Sequence, residues 1–247
     1  AQEAYCGKVV HIVLPSVAMP AAAYTVKYFA LPALAEPVRL LLHLGKYDFN
    51  DEKFTFAEFA KIKPTTKWGQ VPVVITPDGK EMTQTKALVR YFGKQITWGR
   101  TRLLFPKKLY PSDPMLAFEV DEMIEAFEDV RMKIVPTFQI KDQKEKEAAR
   151  AALFAEGGAC DELLKKIDSH CGEKFVVGGT LTIADIWLFF FCNLLRCGFF
   201  DGLPKDFLGK YPKLTAIEAN VKAIPEVKAY YAKKDLTKEP LYSPFVE

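Results

Sequence analysis

Two features that could bind a ligand or take part in a reaction lie close together in the segment Trp68–Leu88, which reads WGQVPVVITPDGKEMTQTKAL. Gln84 and Thr85 stand at a predicted helix start, where unpaired N–H groups and the positive end of the helix dipole favour an anion. Pro72 stands at a predicted strand start, where it has no N–H to donate. On these residues alone, a ligand-binding site and an ordinary strand start followed by a helix cap both remain open.

The cysteines and histidines do not form a metal-binding pattern. The five cysteines (Cys6, Cys160, Cys171, Cys192 and Cys197) include no CxxC pair, and His11, His43 and His170 are scattered along the chain. Known structural zinc sites depend on closely spaced pairs of ligands. We therefore expect no metal site, and the odd cysteine count indicates free thiols in a reducing compartment.

A third polar group, Asp185, has a structural explanation. In LTIADIWLFFF, Thr182 can cap the start of a helix. The Asp185 side chain, at the third helical position, can then accept a hydrogen bond from the Thr182 backbone N–H. Leu181 and Ile186 flank this start as a hydrophobic staple. The helix that follows is apolar on nearly every side, which predicts a position at the centre of a domain.

Composition restricts the class of protein. The chain has 247 residues, of which 49% are apolar and 26% charged, with a net charge of +3. This length predicts one large domain or two smaller ones. The charge is too small to indicate nucleic acid or a membrane surface as a partner. The longest apolar run, Ile186–Leu195, is too short to span a bilayer.

The first half of the chain alternates between strand and helix patterns. A proline in the first helical turn and Gly45 at its end mark the first helix, and PDG marks a hairpin turn. The order β-α-β-α-β-β-α predicts a compact α/β layer. The predicted strands are Tyr24–Phe29, Phe49–Phe54, Val73–Thr76 and Lys80–Met82, and the last helix is Thr85–Phe92.

The second half carries only helical patterns. From Ser112, apolar residues recur at 116, 120, 123, 127, 130 and 134, the spacing of a long amphipathic helix. The further predicted helices are Lys144–Ile167, Thr182–Arg196 and Leu214–Lys233, the last interrupted by Pro225. This half is therefore predicted to be an all-helical domain.

The N-terminal segment permits two interpretations. GKVVHIVLPSVAMPAAA loosely resembles a targeting segment, with a lysine, an apolar stretch and small residues. Pro15 and Pro20 argue against a continuous helix there. We favour an extension with a β-like stretch, Val9–Leu14, packed on the main body.

Taken together, these motifs resemble the cytosolic glutathione transferase family, nearest its sigma class, which includes glutathione-dependent prostaglandin D synthases. The resemblance covers about Tyr24 to Lys234 and rests on five motifs in the expected order: YTVKYF…AEPVRLLL, GQVPVV, TQTKALVRYF, LTIADIWLF and AIPEVKAYY. It implies an α/β thioredoxin-like N-terminal domain followed by an all-α C-terminal domain.

The resemblance gives the Trp68–Leu88 segment a function. In this family the proline before the third strand is cis, which implies a cis Val71–Pro72 bond and a Val71 backbone that pairs with an extended peptide. Glutathione is such a peptide, and its cysteinyl unit would lie there, beside Gln70. Its γ-glutamyl carboxylate would lie at the Gln84–Thr85 helix start.

The resemblance also implies a catalytic role for Tyr28. A thiol with a pKa near 8.5 is mostly protonated at neutral pH, and lowering it by two units takes about 2.7 kcal/mol. A hydrogen bond from one positioned hydroxyl group, together with helix-end dipoles, can supply a stabilisation of that size. Tyr28 matches the family's tyrosine, whose O–H donates to the sulfur. The alternative is a strand aromatic with its hydroxyl at the surface, as expected for Tyr24.

Three further glutathione contacts follow residue by residue. Lys63 matches the basic residue that pairs with the glycyl carboxylate. Phe59 replaces a tryptophan that flanks this carboxylate, so the indole N–H donor is missing. Asp129 matches the acid that reaches across a dimer to the γ-glutamyl ammonium. Its alternative is a solvated helix face shared with Asp121, Glu125 and Glu128.

The expected second-substrate pocket lies between the domains, where Leu31, Leu34, Phe127 and Arg131 would line it. The sequence departs from the sigma pattern here. Sigma members carry arginines in the turn after the catalytic strand, whereas this chain has Pro32 and Leu34. We therefore expect a cationic aid to thiolate formation and substrate orientation to be absent, which leaves prostaglandin isomerase activity doubtful.

These features predict a glutathione transferase that conjugates small apolar electrophiles, with glutathione as co-substrate and no metal. The alternatives are a non-catalytic docking module of the same fold and, more weakly, a peroxidase or isomerase. The resemblance further implies a detoxifying homodimer in the cytoplasm, with organellar targeting left open. The expected divisions are an extension (1–23), a glutathione-binding domain (24–104), a helical domain (112–235) and a C-terminal tail (236–247).

Overall fold

The computed structural model describes residues 23–99 and 107–246. The predicted extension strand Val9–Leu14 lies outside the described residues. The first half has the predicted β-α-β-α-β-β-α order, and its strands form a four-stranded mixed sheet in the order β2-β1-β3-β4. Its elements are β1 (Tyr24–Phe29), α1 (Glu36–Leu44), β2 (Phe49–Phe54), α2 (Phe56–Ile62), β3 (Val73–Ile75), β4 (Glu81–Thr83) and α3 (Thr85–Gln95).

β1 occupies the interior of this sheet. It pairs in parallel with β2 and antiparallel with β3, which forms the predicted hairpin with β4. Val26 and Val74 face each other across β1 and β3 and are fully buried. The next inward-facing residue of β1 is Tyr28, so the alternation along the strand directs this phenol into the structure.

The second half is helical, as predicted. A short strand pair, β5 (Thr97–Trp98) and β6 (Lys107–Lys108), precedes it and was not predicted. The long helix has its predicted apolar face buried, including Val120, Phe127 and Ile134. The helices are α4 (Pro114–Ile134), α5 (Gln143–Phe154), α6 (Ala159–His170), α7 (Ile183–Arg196), α8 (Pro212–Lys222), α9 (Pro225–Tyr231) and α10 (Ser243–Val246).

α7 is the centre of the helical half. Every residue from 183 to 195 is buried. The predicted capping box is present: Asp185 accepts from the Thr182 N–H at 2.7 Å, and also from the Val176 N–H at 2.7 Å. The carboxylate therefore fastens both the helix start and the loop before it, which confirms its structural role.

The predicted single helix Lys144–Ile167 was wrong. The structure has two helices, α5 and α6, separated at Gly157 and Gly158. Gly157 adopts φ +73°, and a Cβ at Gly158 would lie 2.4 Å from the Ala152 carbonyl oxygen. Asp161 accepts from the Gly157 N–H at 2.9 Å, which fixes this turn. The apolar period continues from α5 into α6 because both helices bury one face against the same core. The period alone therefore does not show the break.

The two halves pack directly on each other. A Cβ at Gly93 of α3 would lie 2.5 Å from Ile183 Cγ2 of α7, so a glycine is required where these helices cross. Charged pairs join the outer sides of α3 and α4. Arg90 Nε binds Asp121 at 2.7 Å, and Lys86 pairs with Glu125. These ion pairs link the N-terminal half to the first helix of the helical half.

No helix among the described residues is long and apolar enough to cross a membrane.

Candidate functional site

Tyr28, at the end of β1, has its hydroxyl group beside the interdomain cleft. The side chain is 5% exposed, and its oxygen accepts a hydrogen bond from the Leu34 N–H at 3.3 Å. Within residues 23–99 and 107–246, no group accepts the Tyr28 O–H proton. The phenol thus has a filled acceptor position and an unused donor, the arrangement needed to stabilise an anion.

Three groups act on the ionisation of Tyr28. Burial raises its pKa above the usual 10 and outweighs the opposing effects. The Leu34 N–H and the charges of Arg39 and Arg131 lower the pKa. Because the net direction is upward, the phenol keeps its proton at neutral pH and remains a donor.

A cavity of about 580 Å³ lies between the two halves, and its wall includes Arg131, whose charge acts on Tyr28. Tyr28 itself is not part of its wall, but Leu34, which donates to the Tyr28 hydroxyl, is. The cavity contains Leu34 of the first turn, residues that lead into β3 and α3, and residues of the helical half. The wall comprises Leu34, Gln70, Val71, Pro72, Gln84, Thr85, Lys86, Ala87, Arg90, Glu128, Arg131 and Trp187.

The predicted cis peptide bond Val71–Pro72 is confirmed. Strand β3 begins only at Val73, and Val73 is the first residue of this strand to pair with β1 and β4. The Val71 N–H and C=O make no hydrogen bond to another described residue. Both groups are therefore available to an extended ligand in the cavity.

The start of α3 forms the opposite end of this wall. Gln84 is a non-glycine residue with φ +70°, a strained conformation that recurs at functional sites. Its side chain does not cap the helix; instead Gln84 Nε2 donates to Gln70 Oε1 at 3.3 Å. The Thr85 hydroxyl has no partner among the described residues. The helix thus presents uncapped N–H groups to the cavity, an arrangement that favours an anion.

A cation approaches the site from the helical half. Arg131 of α4 lines the cavity and binds Glu128 through two hydrogen bonds, of 2.9 Å and 2.6 Å. Its charge acts on Tyr28. The turn after β1 carries no cation, but the expectation that the site lacks one is wrong, because Arg131 of α4 and Lys86 and Arg90 of α3 line the cavity.

Several predicted residues lie elsewhere. Phe127 is fully buried, with its ring 5.5 Å from that of Phe191, so it belongs to the core and does not line the cavity. The apolar period of α4 turns this residue inward. Leu31 is half-buried and outside the cavity wall; its carbonyl accepts from Arg39 Nη1 at 2.9 Å.

The three remaining predicted contacts are also outside the cavity wall. Phe59 packs in an aromatic cluster, with its ring 5.3 Å from that of Phe29. Lys63 is exposed, and its Cε lies 3.6 Å from the position of a Cβ built on Gly69, next to Gln70. Asp129 is exposed on α4, beside a separate cavity of about 250 Å³ against α6. A contact from Asp129 across a dimer stays a prediction.

The sequence patterns did not predict Arg39, beside Tyr28, or five residues of the cavity wall: Lys86, Ala87, Arg90, Glu128 and Trp187. Trp187 of α7 lines the cavity, and its buried Nε1 has no hydrogen-bond partner in the described part of the chain. The helix is apolar all round, so nothing marked one position as a cavity residue. Arg39 lies 5.7 Å from the centre of the Tyr28 ring. The sequence signal that could have identified Arg39 is a charged residue inside the apolar segment VRLLL of a buried helix.

A larger cavity, of about 760 Å³, lies at the end of α7 and is lined by Arg196, Lys205 and Lys228, among others. Its wall includes neither the cis proline nor the start of α3, so size does not identify the site. Across the described ranges, no three histidine, cysteine, aspartate or glutamate residues come together as a metal site.

Comparison with known proteins identifies the family of this chain. Residues 24–94 match the family model for the glutathione S-transferase N-terminal domain, and residues 128–234 match a glutathione S-transferase C-terminal domain model. The chain is 30% identical over 217 residues to a glutathione S-transferase of Anopheles gambiae, covering 87% of this chain and 98% of that protein.

Prostaglandin D synthases are similar to the same extent. The hematopoietic prostaglandin D synthase of Gallus gallus is 29% identical over 216 residues, covering 87% of this chain and 98% of that protein. The structure of prostaglandin synthase D of Nilaparvata lugens superposes with a TM-score of 0.72 at 27% identity, covering 86% of this chain and 98% of that one. The predicted fold, a thioredoxin-like domain followed by an all-helical domain, is confirmed. The chain belongs to the glutathione S-transferase family and is a transferase that uses glutathione as its co-substrate.

Proposed function

We propose that the Tyr28 hydroxyl donates a hydrogen bond to the glutathione sulfur and stabilises its thiolate. The observation that carries this assignment is the unused Tyr28 proton, beside a cavity built from both halves of the chain. The Leu34 N–H holds the phenolic oxygen from the other side. A hydrogen bond to a charged group contributes about 1.5–3 kcal/mol, enough to shift a thiol pKa by one to two units.

The rest of glutathione would lie along the wall between Val71 and Thr85. The unpaired Val71 backbone would hold the cysteinyl unit as an added strand. The uncapped start of α3, with the Thr85 hydroxyl and the Gln70–Gln84 pair, would bind the γ-glutamyl carboxylate. Lys63, just outside the wall, would reach the glycyl carboxylate, and Phe59 would flank it.

The reaction is nucleophilic attack on a small apolar electrophile. The thiol first loses its proton to solvent. Its sulfur then supplies the electron pair for a new C–S bond, and the leaving group departs with the electrons of the broken bond. Leu34 and Trp187 give the cavity an apolar part, and Arg131 adds a cation that favours the thiolate.

Glutathione affinity and one substitution test this function. Tyr28→Phe removes only the hydroxyl, so we expect retention on immobilised glutathione with a roughly 10- to 100-fold loss of kcat/KM. The absorbance of the bound thiolate at neutral pH should fall in parallel. Equal activity in the two proteins would contradict the role of Tyr28. Failure of the wild type to bind glutathione would favour the docking module.

Activity assays with a panel of second substrates determine which reaction the thiolate carries out. Because some relatives are named prostaglandin D synthases, the panel should include an isomerase substrate and a peroxide beside activated aryl halides. The positions of Arg131 and Trp187 favour an electrophile with a hydrogen-bond acceptor. Detoxification and a cytoplasmic location stay predictions.

We also propose that the chain acts as a homodimer whose subunits meet along the outer side of α4. Met115, Phe118 and Met132 are at least half exposed there, at 63%, 60% and 50%. Asp129 lies on the same helix and is exposed, as a contact with the partner's glutathione requires. We retain 24–104 and 112–235 as the two domains, with 1–23 and 236–247 as extension and tail.

A further inference from the structure

The C-terminal tail is packed into the body of the protein. The family models end at residue 234, and the tail follows. Within it, Tyr242 and Phe245 are each 1% exposed, and the Phe245 ring stacks on Tyr231 at 5.2 Å between ring centres. Residues this deeply buried are structural elements, and their polar atoms need partners.

The hydroxyl of Tyr242 finds its partners on α1. It donates to Glu36 Oε2 at 2.7 Å and accepts from Arg39 Nη1 at 3.4 Å. Both charged side chains are 0% exposed, and they bind each other at 3.4 Å. The tail therefore completes a buried ion pair in the N-terminal domain.

Arg39 extends this network to the turn after β1. Its Nη1 donates to the Leu31 carbonyl at 2.9 Å, and its Nη2 to the Phe29 carbonyl at 3.4 Å. Its Nε binds Asp51 Oδ1 at 2.9 Å, which anchors the guanidinium to β2. One side chain thus holds two successive parts of the turn that carries Leu34.

That turn sets the hydrogen bond to Tyr28, because the Leu34 N–H is the donor to its hydroxyl. The connection runs through contacts that are all within hydrogen-bond distance: Tyr242 to Glu36 and Arg39, Arg39 to the Leu31 carbonyl, and Leu34 to Tyr28. The guanidinium also lies 5.7 Å from the Tyr28 ring centre, so any movement of Arg39 alters both the position and the electrostatic environment of the phenol.

The Tyr242 hydroxyl is the closest donor to the Glu36 carboxylate. The other oxygen of that carboxylate, Oε1, is buried and has no partner in the described ranges. Tyr230 and Tyr231 also interact electrostatically with Glu36, and the Tyr231 hydroxyl has no hydrogen-bond partner in the described ranges. Without the Tyr242 hydroxyl, a buried anion would depend on Arg39, which would draw the guanidinium away from the turn carbonyls.

We propose that Tyr242 of the C-terminal tail is a positioning residue for catalysis, which fixes the turn 29–34 against Tyr28 through Glu36 and Arg39. This inference rests on the proposed role of Tyr28. It assigns the tail a part in thiolate formation, beyond the packing that it contributes.

The test compares Tyr242→Phe with Tyr231→Phe. Both variants keep their rings in the same aromatic cluster and lose one buried hydroxyl, but only Tyr242 has a hydrogen bond to lose. For Tyr242→Phe we expect kcat/KM with an activated aryl halide to fall about 3- to 10-fold, the effect of one hydrogen bond. The titration of bound glutathione by thiolate absorbance should move to higher pH. Affinity for S-methylglutathione, which has no thiol to ionise, should stay within about twofold of the wild type because its binding contacts are unchanged.

A purely structural role would lower the melting temperature of Tyr242→Phe without moving the thiol titration relative to Tyr231→Phe, and that result would overturn the inference. Equal shifts in the two variants would do the same. Failure of the underlying function is recognised separately: Tyr28→Phe would then leave the thiol titration of the wild type unchanged. A shift in Tyr28→Phe and Tyr242→Phe, but not in Tyr231→Phe, would support the full connection.

Discussion

At the scale of residues, the proposed chemistry depends on the groups that surround the Tyr28 phenol. Burial raises the pKa of Tyr28, so the hydroxyl stays protonated, while Leu34 occupies its acceptor position. Arg131 of α4 places a positive charge near the phenol, whereas the turn after β1 carries none. A tyrosine in a similar strand without these neighbours would be an ordinary core aromatic.

We expect Arg131→Met to weaken thiolate formation. Removing the charge should lower kcat/KM at neutral pH about 5-fold, the effect of one partly screened charge at short range. Because a cation lowers the thiol pKa, its loss should move the rise of the pH–rate profile to higher pH. Steady-state kinetics across a pH series measures both effects.

Glu128 requires a control, since Arg131→Met leaves its carboxylate unpaired near the site. The double variant Glu128→Gln with Arg131→Met removes both charges and isolates the contribution of the pair. If Arg131→Met kept the wild-type profile, the cation from α4 would have no part in the reaction.

At the scale of elements, buried carboxylates fasten the helices to one another. Asp161 of α6 accepts from the Tyr211 hydroxyl at 2.7 Å and from the Gly157 N–H at 2.9 Å, and pairs with Lys165 at 2.9 Å. Burial opposes its ionisation, but these partners prevail and lower the pKa from 3.8 to about 2. This one group joins the α5–α6 turn to the start of α8.

The lowered pKa of Asp161 predicts how stability depends on pH. The unfolded chain takes up this proton near pH 4 and the folded chain only near pH 2, so the stabilisation is complete above pH 4 and lost as the pH falls toward 2. Asp161→Asn should lower the free energy of unfolding by about 1–3 kcal/mol at neutral pH. Urea unfolding should show this difference shrinking between about pH 4 and pH 2. A constant difference over that range would contradict the assignment.

At the scale of the whole molecule, α4 serves both the site and the proposed dimer. Its inner side supplies Arg131 to the cavity, and its outer side exposes Phe118 and Met115. A charge at an apolar interface is costly to bury. We therefore expect Phe118→Asp to convert the dimer into a folded monomer.

Light scattering after size-exclusion chromatography measures the mass, and circular dichroism checks that the monomer is folded. If Asp129 completes the partner's site, the monomer should also bind glutathione more weakly. A variant that stays dimeric would place the interface elsewhere, and a wild type that is monomeric at micromolar concentration would refute the dimer.

The sequence by itself determined the elements and their order. Strand alternation, the capping box at Thr182 and the apolar period of α4 are local signals, and local sterics and hydrogen bonds are enough to produce the structures that they predict. The same holds for Gln84, Thr85 and Pro72, which lie at the ends of adjacent elements. Within the helical half, the glycine break at Gly157 was a local signal that was overlooked.

Only the tertiary structure decided which distant side chains come together around the cavity and around the Glu36–Arg39 ion pair. Arg131, Trp187 and Tyr242 come from three separate parts of the helical half and tail, and their positions depend on how α4, α7 and the tail pack against the sheet. Periodicity predicts that a side chain faces inward, but not whether it meets core or cavity: Phe127 and Trp187 are both inward-facing, and only Trp187 lines the cleft. That difference arises from the close crossing of α3 and α7 at Gly93, a contact between domains that no local pattern encodes.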